Sequence, residues 1–330
     1  MSKSAEKDRN VRKKKTFTDY WEKYSTVAIL VLMVVVFGIL EPQAFMTGSN
    51  FIKIIEQSSI TILLACGEFF AILLAGIDLS VGSILALSGV VTAKLMVDFG
   101  MPPALAVLIG TILLGILIGG VNGFLINVTG LPPFIITLGM QSILRGLTMI
   151  VSNARAVSGV PIQFTKCVGG RIFDLIPIPI IIVLITAGIF IFFTMKTQAG
   201  RNLYAVGGNQ QAAWYAGINV KKHFLLAFMI SGLCAGMAGM VNVARLAAAE
   251  PTAGTGYDTH AIAAVIIGGT SFFGGQGMIP KVVVGGLIIG VINNGLNMVG
   301  LSSYYQTIAM GVLIIAAVTL DRFFGSGNKR

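Results

Sequence analysis

The sequence predicts an all-α polytopic bundle of about ten transmembrane helices, carrying an internal repeat of inverted orientation. Two observations predict the bundle. Hydrophobic residues make up 55% of the 330-residue chain against 11% charged, with 41 glycines, the composition of a helical membrane protein rather than of a soluble domain. No residue is charged from Phe99 to Leu144 or from Val282 to Leu320, and each crossing needs about 20 apolar residues because only internal hydrogen bonds satisfy a backbone in hydrocarbon.

Apolar windows place spans at 25–40, 57–77, 79–97, 104–126, 131–151, 175–195, 224–244, 260–272, 282–299 and 303–320. The first is short for a full crossing, with Tyr20, Trp21 and Tyr24 as interfacial anchors, and the eighth is shorter still. If either only enters the interface, the topology changes. Eight basic residues precede Ser25, among them Lys13, Lys14 and Lys15, which makes 1–24 a cytoplasmic tail. Glu41-Pro-Gln-Ala-Phe offers no small-residue cleavage site after the first span, so that span reads as an uncleaved anchor rather than a signal peptide. The membrane domain then runs over 25–320, and 321–330, with Arg322, Lys329 and Arg330, is a second cytoplasmic tail. The loop 196–223 holds Lys196, Arg201, Lys221 and Lys222 without an acid and falls on the same side. The segment from Arg145 to Arg171 breaks the rule, since it would be outside with Arg145, Arg155, Lys166 and Arg171. The formal charge of +10 sits largely in the tails and the loop, which points to orientation and anionic lipid and not to nucleic acid.

Several chemistries have no support. Cys66, Cys167 and Cys234 are odd in number and scattered, so no disulfide framework follows. His223 and His260 lack neighbours at ligand spacing, so no metal site is expected. The cluster Gly274-Gly-Gln-Gly-Met-Ile-Pro-Lys281 lacks the Gly-Lys-Ser/Thr ending of a phosphate-binding loop, and no Ser, His and Asp set suggests a nucleophile. The chain therefore reads as non-catalytic and without a cofactor.

Residues 120–140, GVNGFLINVTGLPPFIITLGM, lie without gaps on 290–310, GVINNGLNMVGLSSYYQTIAM, with seven of 21 positions identical. In the ten-span arrangement the two turns face opposite sides, which makes an inverted repeat; shared glycine-rich composition is the other explanation. Gly119-xxx-Gly123, Gly232-xxx-Gly236 and Gly286-xxx-Gly290 are spaced for close helix packing, within the bundle in preference to between copies.

Polar residues within spans are the candidates for a translocation pathway: Asp78, Ser80, Asn122, Asn127, Asn293, Asn294 and Asn297, besides Glu68. Asp78, in Gly76-Ile-Asp-Leu-Ser80, suits a helix cap as well as a substrate contact. The amides of Asn293, Asn294 and Asn297 suit a sugar's hydroxyls, or else hydrogen bonds between helices. The segment Gly200 to Gly217 reads as a short surface helix, with Asn209 as N-cap, a helix-favouring run from Gln210 to Ala216, and Gly217 as terminator. Ala212, Ala213, Trp214 and Tyr215 either fill a groove on a cytoplasmic partner or rest on lipid.

Gly76-Ile-Asp-Leu-Ser-Val-Gly-Ser83, the Gly200–Gly217 segment and Ala244-Arg-Leu-Ala-Ala-Ala-Glu-Pro-Thr-Ala-Gly-Thr-Gly-Tyr257 together resemble the membrane permeases of bacterial ABC importers for monosaccharides, of the ribose and allose type. Ala261-Ile-Ala-Ala-Val-Ile-Ile-Gly-Gly-Thr-Ser271 and Asn293-Asn-Gly-Leu-Asn297 with Ser302-Ser-Tyr-Tyr-Gln306 extend the resemblance over nearly the whole chain. The resemblance implies an inner-membrane homodimer of ten-helix subunits, with ATP-binding cassette subunits on the cytoplasmic side and a periplasmic sugar-binding protein outside. Gly200, Arg201, Gly207, Gly208, Asn209, Gln210, Ala212, Ala213 and Gly217 would then form the coupling loop that seats on the ATPase. Topology puts Arg245, Glu250, Thr252, Tyr257 and Asp258 on the outer face, where the binding protein docks. An ion-driven secondary transporter, with Glu68 as ion ligand, is the competing expectation, and a structural or regulatory membrane protein is a third.

Overall fold

The computed structural model describes residues 17–325; the Lys13–Lys15 cluster, the side chains of Tyr20 and Trp21, and Lys329 and Arg330 lie outside the described residues. It is a helical bundle, with α1 (Phe17–Leu40), a single turn α2 (Pro42–Phe45), α3 (Gly48–Leu73) and α4 (Val81–Val97). Next, α5 (Pro103–Val107), a π-helical turn (Leu108–Leu113) and α6 (Leu114–Thr129) run on as one span, followed by α7 (Pro133–Ser152). After the short α8 (Ile162–Gly169) come α9 (Ile178–Lys196), α10 (Gln198–Gly208), α11 (Gln210–Tyr215) and α12 (Val220–Leu246). The chain closes with α13 (Tyr257–Ile267), α14 (Ile279–Met298) and α15 (Ser303–Gly325). Among the described residues, six helices are long and apolar enough to cross a membrane and four shorter apolar helices accompany them.

The elements match the sequence-derived spans, with three corrections. The second begins at Gly48 rather than 57 and ends at Leu73 rather than 77, since Thr47 caps it and Ala75 turns the chain, whereas the apolar part of α1, Tyr24–Leu40, is short as expected. The eighth ends at Ile267 rather than 272, because Gly268 and Gly269 close it and Gly269 adopts a left-handed φ of +76°. The π turn in the fourth was not foreseen; there Gly110 lies on the Thr92 backbone and the Thr92 and Thr111 hydroxyls share a 3.1 Å hydrogen bond.

Helices α6 and α12 run antiparallel in close contact. Gly115, Gly119 and Gly123 lie against Gly232, Phe228 and Leu225 in reverse order, and a Cβ on Gly119 would overlap the Phe228 carbonyl. Gly286 and Gly290 of α14 pack on Ile62 and Ser58 of α3, again in reverse order. The spaced glycines therefore serve packing within the bundle, since missing side chains let backbones approach.

Helix α3 gives the molecule two ends. Its first residues meet α14 through a reciprocal amide pair, with Asn50 Nδ2 donating to Asn294 Oδ1 and Asn294 Nδ2 donating to Asn50 Oδ1, both at 3.0 Å. Its last turn, at Leu73, bears on Gly207 and Gly275. The turn at Gly130 lies beside Gln210 in a common groove, at the α10–α11 end. The turn at Gly300 follows Asn294 at the opposite end, so the two hairpins with matching sequence are inverted. The correspondence extends further. Both α3 and α12 are followed by a left-handed alanine, Ala75 (φ 56°) and Ala247 (φ 54°), then by an irregular segment and a shorter helix, α4 or α13. The first turn of α4 meets the irregular segment before α13 where Gly82 and Gly254 pack backbone on backbone, with no room for a Cβ on either.

The amide pair yields a first expectation. Asn294→Leu leaves Asn50 Oδ1 without a donor in a buried site, although Asn50 Nδ2 still donates to Phe45 O at 3.0 Å, and is expected to cost about 1–2 kcal/mol, read as earlier thermal unfolding in detergent. Adding Asn50→Leu should recover part of that loss; a double variant as unstable as the sum of the single changes would contradict the pairing.

Candidate functional site

Two sites emerge, one at the α10–α11 end and one inside the bundle. At the first, Thr197 caps α10, accepting from Gly200 N at 3.0 Å, and Asn209 Oδ1 caps α11, accepting from Ala212 N at 2.9 Å. Gly217, at φ +81°, ends the segment, as the residue pattern implied. The side chains divide by face. Gly200, Leu203 and Val206 are buried beneath α10 and Ala213 beneath α11, while Trp214 and Tyr215 are 64% and 78% exposed with their rings in edge contact at 5.0 Å. Arg201, Gly208, Asn209, Gln210 and Ala212 are exposed. An aromatic pair standing out of a polar surface suits a pocket on another protein.

The buried face of α10 reaches into the bundle. Gly207 meets the Leu73 carbonyl so closely that any side chain would clash, and Gly275 N donates to that same carbonyl at 2.9 Å. Tyr204 Oη donates to Gly277 O at 3.0 Å, and burial pushes its phenol above the usual value. Helix α10 is therefore in direct contact with the end of α3 and with the 268–278 segment.

From Leu73 the chain turns through Ala75 and Gly76 into the second site. Glu68 Oε1 accepts from Asp78 N at 3.0 Å, and Asp78 Oδ1 accepts from Ser80 N at 3.0 Å and from Ser80 Oγ at 2.5 Å. Asp78 Oδ2 accepts from Ser231 Oγ of α12 at 2.8 Å, and Ser80 Oγ accepts from Asn122 Nδ2 of α6 at 2.9 Å. Thr137 Oγ1 of α7 accepts from Leu79 N at 3.2 Å and donates to Ile77 O at 3.0 Å. Asp78, Ser80, Asn122 and Glu68 all have no exposed surface within this chain. Asp78 thus closes the turn before α4, and the network ties that turn to α3, α6, α7 and α12.

The remaining polar candidates are dispersed. Asn127 donates to Lys221 O at 2.8 Å, which fastens the end of α6 to the start of α12 at the α10–α11 end. Asn294 is held by Asn50. Asn293 is half-buried with its Oδ1 lacking a partner among the described residues, and Asn297, exposed, accepts from Gln306 Nε2 at 2.6 Å.

At the opposite end, Glu56 of α3 joins Arg171 at 2.9 Å and Arg245 at 3.4 Å. Arg145 donates to Pro251 O at 2.7 Å and Ala253 O at 2.9 Å, which shapes the turns before α13, and the Asp258 carboxylate lies near enough to attract it. Glu250 and Thr252 are exposed, and Tyr257 stacks on His260 at 5.7 Å. Two of the basic residues that violate the charge rule, Arg145 and Arg171, are thus structural partners. Glu56 and Ser231 were missed in the sequence; an excess of arginine on the wrong side was the available sign that a nearby acid holds them. Among the described residues, no group of three or more His, Cys, Asp or Glu side chains could hold a metal.

Residues 50–318 match the model of the family described as branched-chain amino acid transport system / permease component. The chain belongs to that family. It is 56% identical over 306 residues to the D-allose transport system permease protein of Escherichia coli (strain K12), covering 93% of each chain. It is 41% identical over 312 residues to the ribose import permease protein of the same organism, covering 92% of this chain and 95% of that one. A fructose import permease protein of Rhizobium meliloti is 33% identical over 305 residues, 89% of this chain and 84% of that one. No solved structure matches it. Membership of a permease family makes the chain a transport component, and the ion-driven reading is not favoured.

Proposed function

We propose that this chain is the membrane permease of an ATP-driven bacterial monosaccharide importer, taking an allose- or ribose-like sugar from a periplasmic binding protein. The observation that carries the reading is the 56% identity to a D-allose permease across 93% of both chains. The chain sits in the inner membrane as a homodimer with both termini cytoplasmic, and ATP hydrolysis takes place on a separate cassette subunit. The membrane domain is 25–320, with the coupling segment 196–223 on the cytoplasmic side.

In this reading α10 and α11 seat on the ATPase, with Trp214 and Tyr215 as anchors and Arg201, Asn209, Gln210 and Ala212 around them. ATP-driven closure pushes α10 against Leu73 through Gly207, and the rigid Asp78–Ser80 turn passes that movement to α4, α6, α7 and α12. The packing then alternates between outward- and inward-facing states. Glu250, Thr252, Tyr257 and Asp258 form the docking face for the binding protein, while Arg245 positions that face through Glu56. Asn293 and Asn297 retain amide groups for sugar hydroxyls; Asp78, Ser80, Asn122 and Asn127 support the pathway from behind. The permease needs only a weak sugar site, because transport requires release.

The coupling assignment is tested by co-purification with the ATP-binding subunit. Trp214→Ala with Tyr215→Ala is expected to weaken the association by about tenfold or more, the loss of two aromatic anchors, with the permease still monodisperse. Undiminished co-purification would remove α11 from the interface.

A further inference from the structure

Between α8 and α9 the chain forms a hairpin in which Arg171 and Ile172 pair antiparallel with Pro177 and Ile176. Leu175 N donates to Ile172 O at 3.1 Å, closing a turn in which Phe173 and Asp174 both adopt a left-handed φ, 52° and 56°. That conformation favours Gly, Asn and Asp, so the ring of Phe173 is presented against the preference of its own backbone. Phe173 is 94% exposed, more than any other large apolar side chain among the described residues, and Ile172, Leu175 and Ile176 beside it are exposed as well. The base of the hairpin is fixed: Arg171 joins Glu56 of α3 at 2.9 Å, and Ile178 N donates to Gly170 O at 2.9 Å.

What covers this tip follows from the helix it feeds. Pro177 leads into α9 at Ile178 with no linking residue. The 19 residues of α9 extend about 28 Å at 1.5 Å per residue, close to the ~30 Å thickness of the hydrocarbon layer. Helix α9 is therefore used up in the crossing, and the hairpin before it falls in the headgroup layer. The exposed face of α9, with Leu184, Ile185 and Ile189, is the apolar surface that a bilayer covers, and the hairpin continues the chain from its end. From Ile172 to Ile176 the one polar residue is Asp174. An apolar tip with a single charge beside it suits the boundary between acyl chains and water, where the ring sinks and the carboxylate stays wet.

We propose that this hairpin is a lipid anchor, with Phe173 and Leu175 seated among the phospholipid headgroups and first acyl carbons of the leaflet opposite the α10–α11 end. It sets the depth of α8 and of the start of α9, and it lies outside the surface offered to a water-soluble partner. The assignment rests on the bilayer alone, not on the ATP-binding subunit or the sugar. A second copy of the chain and a soluble protein are the competing occupants.

The test places the photoreactive amino acid p-benzoylphenylalanine at position 173 of the full-length protein, irradiates native membranes and weighs the purified chain by mass spectrometry. The probe bonds to C–H groups it touches, and at so exposed a site the larger ring meets no neighbour. Parallel chains carry it at Ile189, on the exposed face of α9, and at Glu250, a charged residue exposed at the same end as the hairpin. The chain labelled at 173 is expected to gain the mass of one phospholipid, as the chain labelled at 189 does, while the chain labelled at 250 gains none. No phospholipid adduct at 173, or an adduct there with a second copy or another protein, overturns the proposal. Equal lipid adducts at 173 and 250 overturn it too, since the probe would then report any exposed position. If the chain labelled at 173 fails to insert, the same probe at Leu175 decides by the same outcomes.

Discussion

Gly207→Val is expected to abolish ATP-driven uptake, whereas Gly208→Ala beside it should leave uptake within about twofold of wild type. The contrast rests on geometry, since both changes add apolar bulk to adjacent glycines. A Cβ at Gly207 would overlap the Leu73 carbonyl, with the Gly275 amide also too close, and neither backbone is free to withdraw. At Gly208 nothing lies within 4 Å of an added Cβ, and alanine in a helical position is favoured over glycine by roughly 1 kcal/mol. Valine at 207 must push α10 away from the end of α3, which breaks the contact through which α10 reaches the bundle. Uptake in reconstituted vesicles with ATPase and binding protein reads the result, and ATP hydrolysis read in parallel separates uncoupling from misassembly. Normal uptake by Gly207→Val would show that this junction transmits nothing.

Asp78→Ala is expected to be among the most destabilising single changes in the chain, on the order of 3–5 kcal/mol. Its carboxylate accepts from Ser80 N, Ser80 Oγ and Ser231 Oγ, and all three donors lie where no water replaces it. Each buried donor left without a partner costs about 1–3 kcal/mol. Ser231→Ala removes one donor and leaves the carboxylate otherwise satisfied, so about 1 kcal/mol is expected there. Thermal unfolding in detergent should order the proteins as wild type, Ser231→Ala, then Asp78→Ala. An Asp78→Ala protein as stable as wild type but unable to transport would instead make Asp78 a substrate contact.

Much of this was legible in the residues because it depends on local chemistry. The apolar windows placed 282–299 where α14 spans Ile279–Met298, since a helix that must be apolar for its whole length declares itself. Asn209 and Gly217 declared their roles because capping and left-handed termination act within one turn. The glycine pairs were legible as packing positions, although their partners were not. What remained hidden is non-local. Gly207, Leu73 and Gly275 come from three distant segments, and a glycine needed for a backbone crossing looks the same as one needed for a turn. The sequence could not say whether Asp78 caps a helix or meets a solute, because the answer depends on Ser231 and Asn122 from other helices. The ion pair of Arg245 with Glu56 was hidden because Glu56 lies on α3. The extent of the inverted repeat was hidden for a related reason: Ala75 and Ala247 share a backbone conformation, not a residue pattern around them.

The central claim is that ATP hydrolysed elsewhere drives sugar through this bundle by way of α10 and α11. The most direct measurement is uptake of radiolabelled allose and ribose into proteoliposomes holding the chain with its ATP-binding subunit and binding protein, with and without ATP. Arg201→Glu combined with Ala212→Arg is compared with the unaltered chain. The account predicts ATP-dependent uptake, lost in the altered chain while it remains folded and inserted. Uptake that proceeds without ATP, or that survives the changes at α10 and α11, would contradict it.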